Sequence, residues 1–224
     1  MISIFQTMKK ELDIQSLIAG KSRPYRSILL LGPPGAGKGT LGKLLSSARN
    51  HFHLSSGDIF RGLSPESPAG KLYHSYAGKG HLLPDDVTVG IWHHFVEGLI
   101  ATNRYFPHQQ LLLLDGIPRT ITQAELLEKY IQIKHIIVLE THNIDELIKR
   151  MKRRALIERR ADDLEDTVLE TRMRVYTEDT EKLLEHYPSS LISRFKADQR
   201  PLEVLRDVLS KLSHLLSHSE ESYV

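Results

Sequence analysis

Ile28-Leu29-Leu30-Leu31-Gly32-Pro33-Pro34-Gly35-Ala36-Gly37-Lys38-Gly39-Thr40 is the stretch that decides the fold. Four aliphatic residues lead straight into nine that hold four glycines and two prolines. A continuous apolar run reads as a strand buried on both faces, because a half-exposed strand would alternate. Glycines in such number mean that the backbone itself approaches something closely. Lys38 in their midst says that the something is anionic. Gly32, four intervening residues, then Gly37 and Lys38 match the spacing of a phosphate-binding loop. In such a loop successive N–H groups point inward, and the next helix adds its positive end.

Two more runs share this character: Leu111 to Leu114 within "QLLLLDGIPR" and Ile136 to Leu139 within "HIIVLE". Helical patterns separate the three. "TLGKLLSSAR" follows the first run, and "DDVTVGIWHHFVEGLIAT" precedes the second. "ITQAELLEKYIQ" follows the second, and "NIDELIKRMKRRALIE" follows the third. A further strand is expected at "SLISRFKA" and a last helix at "PLEVLRDVLSKLSHLL", with Pro201 in its first turn. The alternation predicts an α/β fold, a doubly wound parallel sheet of the phosphate-loop nucleoside triphosphatase kind. Two stretches interrupt it. Ser56 to Leu83 is rich in Gly, Ser, Pro and Lys, and Ala155 to Asp166 is short and strongly charged. Both are expected over the carboxyl edge of the sheet, where open α/β folds bind ligands.

The chain has 224 residues, 40% hydrophobic and 26% charged, enough for one such domain with inserts or for two small domains. A formal net charge of +2 gives no general attraction to nucleic acid or membrane, and no apolar run reaches membrane-spanning length. Cysteine is absent, which excludes disulfides and thiolate metal sites and fits a reducing, cytoplasmic setting. Of twelve histidines, one pair, His214 and His218, has H-x-x-x-H spacing, at the polar end of the chain. That pair reads as fortuitous, and surface or helix-packing roles are expected for the other histidines. Residues 1–26 read as a short helical extension without a signal-peptide core, and 218–224 as a disordered tail.

One position departs from the general loop pattern. Gly39 follows Lys38 where a Ser or Thr would ligate Mg²⁺, and the hydroxyl arrives at Thr40 instead. The ion would then be held by nucleotide phosphates and water. Asp115, at the end of the second apolar run, is the natural acid to hold that water shell. A capping role before Gly116 suits Asp115 equally well.

"GPPGAGKGT" resembles the loop of adenylate kinases and related nucleoside monophosphate kinases. The likeness runs from about Ser27 to Leu216. "LSSGDIFR" and "GHLLPDD" are similar to the start and end of that family's monophosphate-binding insert. "DGIPRTITQA" is similar to its D-G-F-P-R-T-x-x-Q-A, and "RADD" with an arginine near "MRVY" to the second half of its lid. The resemblance implies a core of residues 27–55, 84–150 and 170–217, a monophosphate-binding insert at 56–83 and a lid at 151–169. The lid is of the short form and, without cysteine, has no zinc site.

The resemblance also implies roles. ATP would be bound by Gly35, Ala36, Gly37, Lys38, Gly39 and Thr40, with Lys38 reaching the β and γ phosphates. Arg150, Arg154 and the backbone near Arg200 would contact the donor nucleotide. Arg61 would clamp the acceptor phosphate, and Arg119 would bridge it to the transferred one. Arg160 and Arg172 would reach the acceptor and the moving phosphate, and Asp162 and Asp163 would hold the lid arginines on closure. Lys38, Arg119, Arg150, Arg160 and Arg172 are thus the expected catalytic cations; a guanidinium fork pairs two oxygens at once. Ser56 and Gln123, with backbone groups of His81, Leu82, Leu83 and Gly116, would form the AMP pocket. An amide offers both a donor and an acceptor, as adenine requires. Ser56 and Thr120 stand where pyrimidine-monophosphate kinases usually carry Ala and Asn. Three features depart from the family. "ALIER" has no glycine, and Ile117 replaces the usual Phe. Arg160 and Arg172 are twelve apart where the family has eleven, which leaves Arg159 as an alternative to Arg160.

Transfer between two polyanions asks for positioning, charge neutralisation and exclusion of water. The expected activity is that of a monomeric adenylate kinase in nucleotide biosynthesis, Mg·ATP + AMP ⇌ 2 ADP, with ATP, AMP and ADP as its partners. It would have Mg²⁺ but no zinc, no nucleic-acid partner and no membrane. The alternatives are a kinase for UMP or CMP, a GTP-using AMP kinase, a nucleotide-binding module without catalysis, and a partner-coupled hydrolase. The acceptor-pocket motifs disfavour the last, since a hydrolase needs only water.

Overall fold

The computed structural model describes residues 24–158 and 165–217. Five strands form one parallel sheet: β1 (Tyr25–Leu31), β2 (Phe52–Ser55), β3 (Leu112–Asp115), β4 (Ile131–Glu140) and β5 (Ile192–Lys196). Their order across the sheet is β2-β3-β1-β4-β5. β1 therefore lies at the centre, and the loop that leaves it emerges between β3 and β4. That is a switch point, where ligands bind in open α/β sheets.

Helices cover both faces. The central strands accordingly send alternate residues into two separate cores. Leu29 and Leu31 join Leu112, Leu114, Ile136 and Val138 on one face, with Trp92 and Val96 of α4 (Asp85–Ala101). Ile28 and Leu30 join Leu113, Ile137 and Leu139 on the other. There they meet α1 (Lys38–Arg49) through Leu41 and Leu45, α6 (Ile144–Glu158) through Leu147, and α8 (Pro201–Ser217) through Val208 and Leu212. The unbroken apolar runs thus reflect two covered faces, as expected for a parallel sheet.

Four sequence expectations need correction. Tyr25 and Arg26, assigned to the terminal extension, belong to β1, and Tyr25 is only 2% exposed. The helix expected through Gln132 is α5 (Ile121–Leu127), and by Ile131 the chain is already in β4. The β-branched Ile131 and Ile133 suit a strand, and pairing with Tyr25 and Ser27 of β1 draws them in. β2 was not expected at all. Ala155 to Glu158, read both as the end of the helical pattern and as the start of the charged interruption, is helix: α6 continues to Glu158 with Ala155 buried.

The expected insert holds α2 (Ser56–Arg61) and α3 (Pro68–Ala77), each capped by a serine hydroxyl, of Ser55 and Ser67 respectively. At its end Gly80 packs against α7 (Asp166–Val175): a Cβ there would lie 2.9 Å from the Val168 carbonyl oxygen. α7 passes into one π turn, Tyr176–Thr180, and a short segment Glu181–Leu183. Lys152 of α6 and Asp166 of α7 pair at 2.6 Å. Arg159, Arg160, Asp162, Asp163, His218 and the terminal segments 1–23 and 218–224 lie outside the described residues.

Candidate active site

The loop after β1 takes its shape from two glycines. Gly32 has φ +142°, and a Cβ there would meet the Leu139 carbonyl oxygen at 2.5 Å. Gly35 has φ +83°, with the Leu147 carbonyl 2.8 Å from where its Cβ would stand. Larger residues would therefore be both strained and obstructed at these two positions. α1 begins after Gly37 with no side-chain cap, so its first N–H groups are left for a ligand. Lys38 folds back over the loop, where its Nζ donates to the carbonyls of Gly32 and Pro33 at 2.7 and 3.0 Å.

A cleft of about 700 Å³ opens above the carboxyl ends of the strands. Gly35 to Thr40, Arg61, Asp115, Gly116, Arg119, Arg150, Arg154, Arg172 and Arg200 all line it, as expected for a common site. Lys43 and Arg153 line it too, and the sequence reading did not single them out. Arg153 stands three residues from Arg150, so helical spacing could have found it. Lys43 carries no such signal.

Arg119 is held by three hydrogen bonds. Its Nε donates to the Gly116 carbonyl at 2.8 Å, and its backbone N–H to Gln123 Oε1 at 2.8 Å. Its carbonyl accepts from the Thr180 hydroxyl in the π turn at 3.2 Å. Burial lowers its pKa to about 10, and the nearby Arg172 and Arg61 charges push the same way. Lys38 is lowered to about 8, by burial first and then by Arg119, Arg154 and Arg172, against the opposing pull of Asp115. A lysine and several arginines gathered in one cleft form a site complementary to a polyphosphate.

Asp115 ends β3 and faces this cluster. Burial pushes its carboxyl upward, but His53, Lys38 and Arg119 outweigh that and hold it below the ordinary carboxylate range. His53 Nε2 lies 3.7 Å from Asp115 Oδ2. This corrects the expectation that such histidines serve only the surface or helix packing. The ring fits because Gly42 lacks a side chain: a Cβ there would lie 2.2 Å from it. Gly39 likewise leaves room, with Asp115 Oδ2 3.4 Å from where its Cβ would be. An ionised carboxylate facing an open position beside the phosphate loop fits a Mg²⁺ ion held through water. Among the described residues no group of three or more His, Asp or Glu could hold a metal directly.

The expected acceptor pocket lies behind the cleft wall, and neither Ser56, Gln123 nor 81–83 lines the cleft itself. Ser56 is 2% exposed, and its hydroxyl donates to the Gly116 carbonyl at 2.8 Å. Gln123 is 1% exposed, and its Nε2 donates to Asp85 Oδ1 at 2.8 Å. Both side chains brace the turn that carries Arg119. Leu83 is buried, Leu82 half-buried and His81 exposed. Arg61 pairs with Asp58 one helical turn before it. Arg150 donates to Glu146 at 3.1 Å and to the Ala197 carbonyl at 3.0 Å, tying α6 to the loop before Arg200.

A glycine-rich loop after a central parallel strand, a bare helix N-terminus and converging arginines define a phosphate-loop nucleotide-binding protein. Comparison with known proteins narrows the class. The family model described as Adenylate kinase matches residues 30–192. The adenylate kinase of Corynebacterium urealyticum is 39% identical over 74% of this chain and 88% of its own length. That of Nocardia farcinica is 38% identical over 74% of this chain and 88% of its own, and that of Flavobacterium psychrophilum 32% over 86% and 98%. The chain belongs to the adenylate kinase family.

Proposed function

We propose that this chain transfers the terminal phosphoryl group of Mg·ATP reversibly to AMP, giving two ADP. The observation that carries this reading is the convergence of Lys38, Arg61, Arg119, Arg150, Arg154 and Arg172 on one cleft beside the phosphate loop. A hydrolase could use one arginine on the transferred phosphoryl group, but it needs no further cations for an acceptor phosphate. The family membership points the same way.

The donor phosphates would rest on the N–H groups of Gly35 to Thr40, with Lys38 turning from the loop carbonyls to the β and γ oxygens. Arg150, Arg154 and the backbone at Arg200 would hold the donor nucleotide. Arg61 would leave Asp58 for the acceptor phosphate. Arg119 and Arg172, held near each other despite their repulsion, would neutralise charge on the phosphoryl group in flight. Arg160 would join them from the lid at 151–169. Ser56, Gln123, Gly116 and residues 81–83 would bound the acceptor base. Bound Mg²⁺ would neutralise phosphate oxygens, with Asp115 holding it through water. The divisions at 56–83 and 151–169 would move to exclude water.

The enzyme would act as a monomer in the cytoplasm, on small nucleotides alone. Among the described residues no helix is long and apolar enough to cross a membrane. The test is direct: incubate the protein and Mg²⁺ with ATP, then GTP, and each of AMP, CMP, UMP and GMP, and follow the diphosphates. Preferred turnover of CMP or UMP would refute the AMP reading. Diphosphate formed without any acceptor would favour a hydrolase.

A further inference from the structure

We propose that Asp85 determines the acceptor base, by locking the Gln123 amide in the one orientation that suits adenine and rejects 6-oxopurines. This rests on the reading of Gln123 as the residue that faces the acceptor base.

Gln123 sits in the first turn of α5, where its own N–H donates to the capping Thr120 hydroxyl at 3.1 Å. Its amide has two further partners. Oε1 accepts from the backbone N–H of Arg119 at 2.8 Å, and Nε2 donates to Asp85 Oδ1 at 2.8 Å. Each partner has one sign only: a peptide N–H can only donate, and a carboxylate can only accept. The orientation of the amide is therefore set by its partners, which is the strongest basis for telling its oxygen from its nitrogen. Turning the amide over would set NH₂ against the Arg119 N–H and oxygen against the Asp85 carboxylate. Both bonds would be lost and both contacts would become repulsive.

An amide held in this way keeps one N–H and one oxygen lone pair for a third party. Adenine offers the matching edge, an exocyclic N–H donor beside a ring-nitrogen acceptor. Hypoxanthine and guanine offer the reverse, a carbonyl acceptor beside a ring N–H donor. They would need the inverted amide. Gln123 is 1% exposed, so a base reaches it only when neighbouring side chains swing aside. Asp85 is the first residue of α4, directly after the insert that ends at Leu83, so the lock is anchored where the insert joins the core. Asp86, its neighbour in the first turn of α4, accepts separately from the Val87 N–H at 2.9 Å. Changing Asp85 therefore leaves an acid at the helix N-terminus.

The experiment compares AMP with inosine monophosphate, which differs from it only at the 6-position edge. kcat/KM for each acceptor is measured with Mg·ATP for wild type, Asp85→Asn, Asp85→Ala and Asp85→Glu, together with thermal melts and the KM for ATP. Wild type should prefer AMP strongly. Asp85→Asn, isosteric but able to offer either sign, should narrow the AMP to inosine monophosphate ratio by about tenfold or more. Asp85→Ala should narrow it too, while Asp85→Glu, still an acceptor only, should keep most of it. The KM for ATP should not change. A contact that merely ties α4 to α5 would lower the melting temperature and leave the ratio alone. A full ratio in both folded Asn and Ala variants overturns the lock. A wild type that does not prefer AMP overturns the reading of the acceptor itself.

Discussion

Lys38 should give the enzyme an alkaline limit set by its own surroundings. Its pKa is about 8 instead of 10.5, because burial and three arginines disfavour a further charge. Lysine lowered in this way is charged at low pH and loses its charge as pH rises through the folded value. At pH 7 about 90% of the free enzyme would carry the charge, and at pH 9 about 10%. An ordinary lysine would keep about 97% at pH 9. Since kcat/KM reports the free enzyme, kcat/KM for ATP should fall about tenfold between pH 7 and 9. kcat should hold to higher pH, because bound phosphates restore the charge of the ammonium. Asp115 is the group that raises Lys38, so Asp115→Asn should move the limb to still lower pH. Lys38→Arg should remove the fall between pH 7 and 9, whatever its rate, because a guanidinium stays charged there, even at Arg119, where burial lowers it to about 10. The assay is initial velocity against ATP concentration from pH 6 to 10, with AMP well below its KM for kcat/KM and saturating for kcat. A flat kcat/KM to pH 9, or a fall between pH 7 and 9 that survives in Lys38→Arg, would refute the reasoning.

Lys38→Met should fold, since the side chain serves the loop and not the core, and should lose on the order of a thousandfold in kcat; near-normal turnover would sink the phosphate-loop assignment. Gly42→Ala forces a Cβ into the His53 ring, 2.2 Å away, and should cost about 1–3 kcal/mol of stability in denaturant titration. Adding His53→Ala should recover most of that loss, and strict additivity of the two changes would count against the contact. His51, His93 and His135 are each lowered below 6.5, chiefly by burial, so the folded state favours their neutral forms. Their contribution is intact above pH 6.5 and is lost as pH falls towards the folded values, at up to about 1.4 kcal/mol per pH unit for each. Urea midpoints from pH 7.5 to 5 would read this, and His135→Asn should flatten part of the slope.

The centre of the sheet was legible in the sequence because its residues answer to one demand. Ile28 to Leu31 of β1, Leu112 to Leu114 of β3 and Ile136 to Leu139 of β4 are covered on both faces, so each run is apolar and continuous. The edges answer to mixed demands. β2 is an edge strand of four residues, Phe-His-Leu-Ser, whose burial alternates weakly and whose histidine serves the cleft. Nothing in "FHLS" distinguishes it from a loop until β3 is there to pair with it. The first half of β4 failed for a related reason. Ile131 also extends the helical spacing of Leu127, four residues before it, and it takes the bond of Tyr25 to the Tyr130 carbonyl and the pairing with β1 to show that the chain has turned into the sheet.

The candidate site divides along a different line. Cations whose neighbours are glycine, proline or other cations declare themselves, because such composition has few other physical uses. Lys38, Arg119, Arg150 and Arg154 are of that kind, and the cleft gathers them. Polar residues of ordinary type do not. Ser56 and Gln123 were legible as hydrogen-bonding residues, but a side chain's type leaves open which of its atoms remain available. The Ser56 hydroxyl gives its proton to Gly116, and Gln123 has one bond at each end of its amide, to Arg119 and Asp85. Specificity then resides less in the residue that touches a base than in the neighbours that decide which way it faces. Thr180 makes the same point for catalysis. Nothing in "TEDT" announces it, yet through the π turn it holds the carbonyl of Arg119 and couples the helix of Arg172 to the strand-end loop. Charges that must repel one another until phosphate arrives need such uncharged tethers, and these become visible only when the chain has folded.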